Sequence, residues 1–167
     1  WTREHLTSDQ CDWLDSRPFG CRLRPASSDD PSDDLLVVHA NPSDILTPLI
    51  LEEHPYEEWP VTPEEQVESL LDGVTAELIA FGHVHNPASA TLAGQRLRSV
   101  GSVGFPWDGD QRAAYGVAEW TGEEWRLEDV RVEYDHESVA GELERSGAPG
   151  SEEAAESIRT ASFDPLA

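Results

Sequence analysis

Three histidines stand where imidazoles can act together. His83 and His85 are one residue apart in Phe81-Gly82-His83-Val84-His85, and His39 closes the apolar run Leu35-Leu36-Val37-Val38. Neutral imidazole binds zinc, iron, nickel and copper well, so three of them at one place suit a divalent transition metal. His39 by itself is better explained as a hydrogen-bonded loop histidine; it is the trio that favours a metal. In extended chain, residues i and i+2 point to the same side, which aims His83 and His85 at one point. Gly82 has no Cβ and leaves room for backbone or ligand.

Those side chains need elements to hold them. Glu77–Phe81 is a short apolar run after a helical pattern, as expected of a buried strand. Thr62-Pro63-Glu64-Glu65 has the form of a helix start, with a cap, a proline at the first position and a capping-box glutamate. Val67, Leu70, Leu71 and Val74 then follow the spacing of a buried face, and Gly73 is the expected stop. A strand, a loop, a helix and a second strand place 35–39 and 77–82 as parallel neighbours in one sheet. Their histidines then share the carboxyl edge, where ligands of open α/β sheets bind.

With these residues in view a resemblance emerges. Gly82-His83-Val84-His85 resembles the GHxH motif of the calcineurin-like metallophosphoesterases, and Val37-Val38-His39-Ala40 is similar to that family's upstream single-histidine motif. Gly101-Ser102-Val103-Gly104, followed by Pro106, Asp108-Gly109-Asp110, Arg112 and Tyr115, is similar to a third stretch of the small prokaryotic members. Val132-Glu133-Tyr134-Asp135 and Gly147-Ala148-Pro149 resemble the usual ending, so the likeness runs from about residue 7 to 149. The family's D-x-H, GD-x-x-D and GNH[DE] motifs do not occur. The chain begins at Trp1, has no methionine and reaches His39 early, so the expectation is the carboxy-terminal part of a longer protein.

The resemblance implies an α/β fold, part of an αββα sandwich with two central sheets flanked by helices and its amino-terminal half absent. It implies two divalent metal ions (Mn, Fe, Zn or Ni), with His39 and His83 on one and His85 on the other. It implies hydrolysis of a phosphomonoester or phosphodiester in a phosphorylated small molecule, nucleotide or phosphoprotein. The general-acid histidine and the bridging aspartate belong to the missing motifs, so no catalytic residue is identified and the segment alone should have little activity. The rival is a non-catalytic phosphoesterase-like scaffold or regulatory protein that binds one metal or a partner.

Substrate-binding candidates are Asn41, which follows His39, Ser102 in the glycine-flanked turn, and Arg112 as a bidentate phosphate donor. Each also has a structural reading: Asn41 and Asp44 as turn residues around Pro42, Ser102 in a plain turn, Arg112 paired with Asp108 or Asp110. Ala40–Val61 holds four prolines and is expected to be a substrate-facing loop or flap, with His54 solvated among glutamates. Phe105-Pro106-Trp107 would roof the pocket or close the sheet.

The remaining sequence sets boundaries. A net charge of −23 argues against a nucleic-acid duplex as partner. All 11 basic residues are arginine, and an acidic surface without lysine resembles that of salt-adapted proteins. No stretch approaches the roughly 20 apolar residues of a membrane span. Cys11 and Cys21 fit no zinc or redox spacing, and reduced thiols in a cytoplasmic protein are expected. Thr7 and Gln10 predict a capping box, with Trp13 and Leu14 packing that helix down. Cys21–Arg24 predicts a short strand. Gly94-Gln95 and Thr121-Gly122 predict hairpin turns, with a bulge near Glu128-Asp129. Asp135 predicts a cap for a last helix with Val139 and Leu143 inward. Residues 1–150 would form part of one domain, and 151–167 an acidic extension with a weak helical pattern, partly disordered.

Overall fold

Alternation within Leu78–Phe81 sets the architecture. Every residue of this strand (β3) is buried, yet its side chains divide between two cores. Ile79 and Phe81 join Val67 and Leu71 on one side; Leu78 and Ala80 join Leu35 and Trp125 on the other. A strand covered on both faces needs a continuous apolar run rather than an alternating one. The computed structural model describes residues 1–53 and 59–163; His54 lies outside them.

In chain order the elements are α1 (Thr2–His5), α2 (Ser8–Asp15), β1 (Gly20–Leu23), β2 (Leu35–Val38), α3 (Glu64–Leu70), β3 (Leu78–Phe81), β4 (Pro87–Leu92), β5 (Gln95–Val100), β6 (Ala113–Trp120), β7 (Trp125–Val132), α4 (His136–Arg145) and α5 (Ser151–Thr160). Five strands form a mixed sheet in the order β1-β2-β3-β5-β4. β2, β3 and β5 are parallel neighbours, with Leu35 opposite Leu78 and Ile79 opposite Leu97. The edge strands β1 and β4 run antiparallel. β6 and β7 form a second, two-stranded sheet against the Leu78–Ala80 face, while α3 covers the other.

One buried carboxylate secures the first edge. Asp34, with no exposed surface, accepts bonds from Arg22 Nη1 (3.1 Å) and from Arg24 Nε and Nη2 (2.8 and 3.0 Å). The Arg24 bonds, foremost, hold its pKa below the ordinary aspartate range. Its backbone carbonyl accepts from Glu77 N at 2.8 Å, so β1, β2 and the start of β3 meet at one residue.

Several local expectations hold. Thr7 and Gln10 form the capping box of α2, Asp135 caps α4 through Ser138 N, and Gly73 takes φ +72° just past α3. Others need correction. Thr62 does not cap α3; its hydroxyl accepts from Ile50 N at 2.8 Å, closing the 40–61 loop instead. The hairpin turn is Ala93-Gly94, both with positive φ, with Leu92 paired to Gln95. No bulge interrupts β7, whose register with β6 is continuous from Trp125 to Val132. The apparent slip arises because the inward positions after Trp125 and Leu127 are Asp129 and Arg131, which pair with Arg98 and Asp108. Trp13 and Leu14 do not pack α2 down; they are 58% and 49% exposed. In α4 it is Ala140 that is buried, while Val139 faces outward. Residues 151–160 are a helix packed on α4 through Ala155 and Ile158, because their spacing of three gives α5 an apolar face.

Candidate functional site

The parallel strands deliver three loops to one edge: His39 leaves β2, His83 and His85 leave β3, and Gly101 begins the turn after β5. Gly82 N donates to His39 O at 2.9 Å, fastening the first two loops together. A Cβ on Gly82 would meet only that oxygen, at 3.8 Å, so close approach is not what the glycine provides. Gly101 is different: at φ +80° its Cβ would lie 3.1 Å from both Ala114 Cβ and Pro87 Cγ. It lets the sheets approach one another rather than the histidines.

His83 and His85 do not lie on one side of an extended chain. Both residues are left-handed, with φ of 66° and 59°. Such conformations are uncommon for residues other than glycine, asparagine and aspartate, although histidine tolerates them better than most. They turn the chain tightly after β3 and divide the rings between two places. His83 Nδ1 faces His39 Nε2 at 3.0 Å, with the rings edge to face. His85 lies apart: its Nδ1 bonds the Phe105 carbonyl at 2.6 Å, and its ring stacks on Trp107 with centroids 4.2 Å apart.

Burial, and then the neighbouring His39, lower the pKa of His83; a bond to the Leu46 backbone and the charge of Asp44 oppose this. Burial is also the first cause of a lowered pKa at His85, and His83 and His39 add to it. Both rings therefore favour the neutral form, which is the ligating form. With Nδ1–H given to a carbonyl, His85 keeps the Nε2 lone pair for a ligand, an arrangement common among metal-binding histidines. A cation about 2.1 Å from each of two imidazole nitrogens would set those nitrogens about 3.0–3.4 Å apart, so the His39–His83 pair needs little adjustment. Among the described residues no group of three or more His, Cys, Asp and Glu side chains converges as a metal site. The chemistry and spacing thus suit a cation at the pair, with His85 as a separate donor.

The three substrate candidates have internal partners. Asn41 is fully buried; its Nδ2 donates to Thr47 O and its Oδ1 accepts from Ser43 N and Asp44 N. Asp44 in turn accepts from Leu46 N and Thr47 N, which bring its pKa down to about 2. Ser102 Oγ accepts from Phe105 N at 3.0 Å, shaping the turn that presents the carbonyl to His85. Arg112 Nε and Nη2 are held by Asp110, whose carboxyl is thereby kept well below the usual range. Trp107 stacks on the His85 ring. Unforeseen were the Phe105 carbonyl, which no side-chain pattern reveals, and Phe163, which stacks on the far face of Trp107 at 4.6 Å.

No family model and no curated protein matches the sequence. Solved structures do match in fold. A hypothetical protein from Pyrococcus horikoshii superposes with a TM-score of 0.70 at 18% identity, over 98% of this chain and 58% of that one. A metallophosphoesterase from Sphaerobacter thermophilus gives 0.63 at 20% identity, over 96% of this chain and 66% of that one. The chain has the metallophosphoesterase fold, as the histidine motifs imply, and it spans 58–66% of the length of these two structures. Among the described residues no helix is long and apolar enough to cross a membrane.

Proposed function

We propose that the chain contributes His39, His83 and His85 to the metal centre of a phosphoesterase that hydrolyses phosphomonoester or phosphodiester bonds. The observation that carries this reading is the pair-plus-one arrangement at the carboxyl edge of three parallel strands, built on two left-handed histidines. Backbone strain of this kind costs about 1–3 kcal/mol per residue and collects at functional sites. In this reading His39 and His83 hold one divalent ion and His85 contributes to a second. Bound metal would polarise the phosphoryl group and supply a nucleophilic hydroxide at neutral pH. The chain's own residues do the rest: the Phe105 carbonyl fixes the His85 tautomer, Trp107 fixes its ring, and the Gly82–His39 bond fixes the spacing of the pair. Three imidazoles are too few for two ions, and the exposure of His39 leaves its ring accessible to further ligands.

The test is hydrolysis of p-nitrophenyl phosphate and bis-p-nitrophenyl phosphate with manganese by the full-length gene product and its H83A form. Loss of metal and turnover together is the expected result. Turnover unchanged in H83A overturns the reading; no turnover in either form, with a partner still bound, favours a non-catalytic scaffold.

A further inference from the structure

The carboxyl end of α5 is tied to the loop that holds His85. Ala161, buried and left-handed at φ 49°, ends the helix. Its carbonyl accepts from Gly109 N at 2.9 Å, and the Arg159 carbonyl accepts from Gln111 Nε2 at 3.0 Å. Two residues on, Phe163 lies on Trp107 with ring centroids 4.6 Å and planes 22° apart. Trp107 in turn lies on His85 at 4.2 Å and 13°, so the indole is sandwiched between the other two rings. Trp59 meets Trp107 at 5.9 Å with its plane at 76° and touches the stack without extending it. Arg131 of β7 holds the loop as well, through Asp108 and the carbonyls of Asp110 and Arg112. Those bonds fix the backbone after Trp107 and reach no ring of the stack.

A histidine presents one chosen nitrogen only when its ring torsion and its tautomer are both fixed, and the ring torsion by itself is broad. The Phe105 carbonyl selects Nδ1–H at His85, but a single hydrogen bond leaves the ring free to tilt about it. The stack removes that freedom. Without Phe163 the indole would be covered on one face only, and an offset-stacked aromatic pair shifts an equilibrium by about twofold to tenfold. We propose that Phe163 is a positioning residue for His85, acting through Trp107 to hold the imidazole in the Nδ1–H form with Nε2 available to a cation. The use of Nε2 by a cation rests on the phosphoesterase reading above; the positioning does not. The segment after α5 is then a working part of the site, clamped to it at Gly109, Gln111 and Trp107.

The experiment is a long-range ¹H–¹⁵N NMR spectrum of the 167-residue chain and its variants at neutral pH without metal, reading the ring nitrogens of His85 assigned from H85Q. The parent should show the Nδ1–H tautomer. In F163A the ratio of the two tautomers should move toward a mixture by about twofold to tenfold, and F163Y, which keeps a ring, should restore the parent spectrum. F163L keeps the apolar bulk without an aromatic face and should show the same loss, so a folding defect in F163A does not spoil the test. A merely structural role would lower Tm and leave the His85 tautomer as it is; that result, or a change that F163Y fails to restore, overturns the proposal. Zinc is then added to each form. Its affinity read at His85 should fall by about twofold to tenfold in F163A, with the response of His39 and His83 unchanged. No zinc response at His85 in the parent overturns its assignment as a metal donor, whereas an unchanged tautomer in F163A and F163L overturns the positioning.

Discussion

Replacing Asp34 by Asn tests how the first sheet edge is held. The variant keeps the shape but removes the charge, and turns an amide NH₂ toward guanidinium groups that can only donate. Breaking a fully buried pair costs about 3–5 kcal/mol, whereas exposed pairs contribute less than about 1 kcal/mol. Asp34 is fully buried, but Arg22 and Arg24 are 39% and 44% exposed and can rehydrate. The expected loss lies between these limits, at about 2 kcal/mol after allowing for solvent screening. For a chain of this size that is a fall in Tm of about 4–8 °C. Because the folded pKa of Asp34 is depressed, its contribution is present above the unfolded value of about 3.9 and is lost as pH falls through the folded pKa. Urea unfolding at neutral pH and at successively lower pH values should therefore show the two proteins converging in acid. A neutral-pH difference below about 0.5 kcal/mol, the range of an ordinary surface change, would refute the reasoning.

Four further outcomes are expected. G101A should lose more than about 1 kcal/mol, since its φ of +80° and 3.1 Å contacts leave no place for a methyl group, whereas G82A should change little; thermal melts of both decide this. H83G should be as stable as the parent or gain up to about 1 kcal/mol, because glycine adopts φ 66° without strain, while metal binding is lost. Asp44, with its pKa lowered to about 2 by the Leu46 and Thr47 amides, stabilises the site loop above pH of about 4 and ceases to as pH falls towards about 2; hydrogen exchange in residues 44–47 should rise over that window. The charge of −23 predicts a Tm that rises with added potassium chloride as self-repulsion is screened; a flat or falling response removes the salt-adaptation idea.

Much of this architecture is legible in residue patterns with a single physical cause. Apolar runs at 35–38 and 78–81 around a helix-period segment suffice for parallel β2 and β3, and hence for a shared histidine edge. The Thr7–Gln10 box and the Asp135 cap are local hydrogen-bond patterns and survive into the structure. What escapes the sequence depends on distant partners. Thr62 has the form of a cap until Ile50 offers a competing amide. Asp129 and Arg131 look like a phase slip until Arg98 and Asp108 pair with them across the sheets. Nothing in Phe81-Gly82-His83-Val84-His85 announces left-handed turns at both histidines. Phe163, more than 50 residues from Trp107 in sequence, gives no sign that it backs the aromatic stack.

The most direct test of the site is a zinc titration followed through the imidazole nitrogens by ¹H–¹⁵N NMR. The chain has six histidines, so His5, His54 and His136 serve as internal controls. His39 and His83 should respond together, His85 should respond through Nε2 with Nδ1 still protonated, and the controls should stay unmoved. A response spread over all six, or confined to the controls, would contradict this assignment.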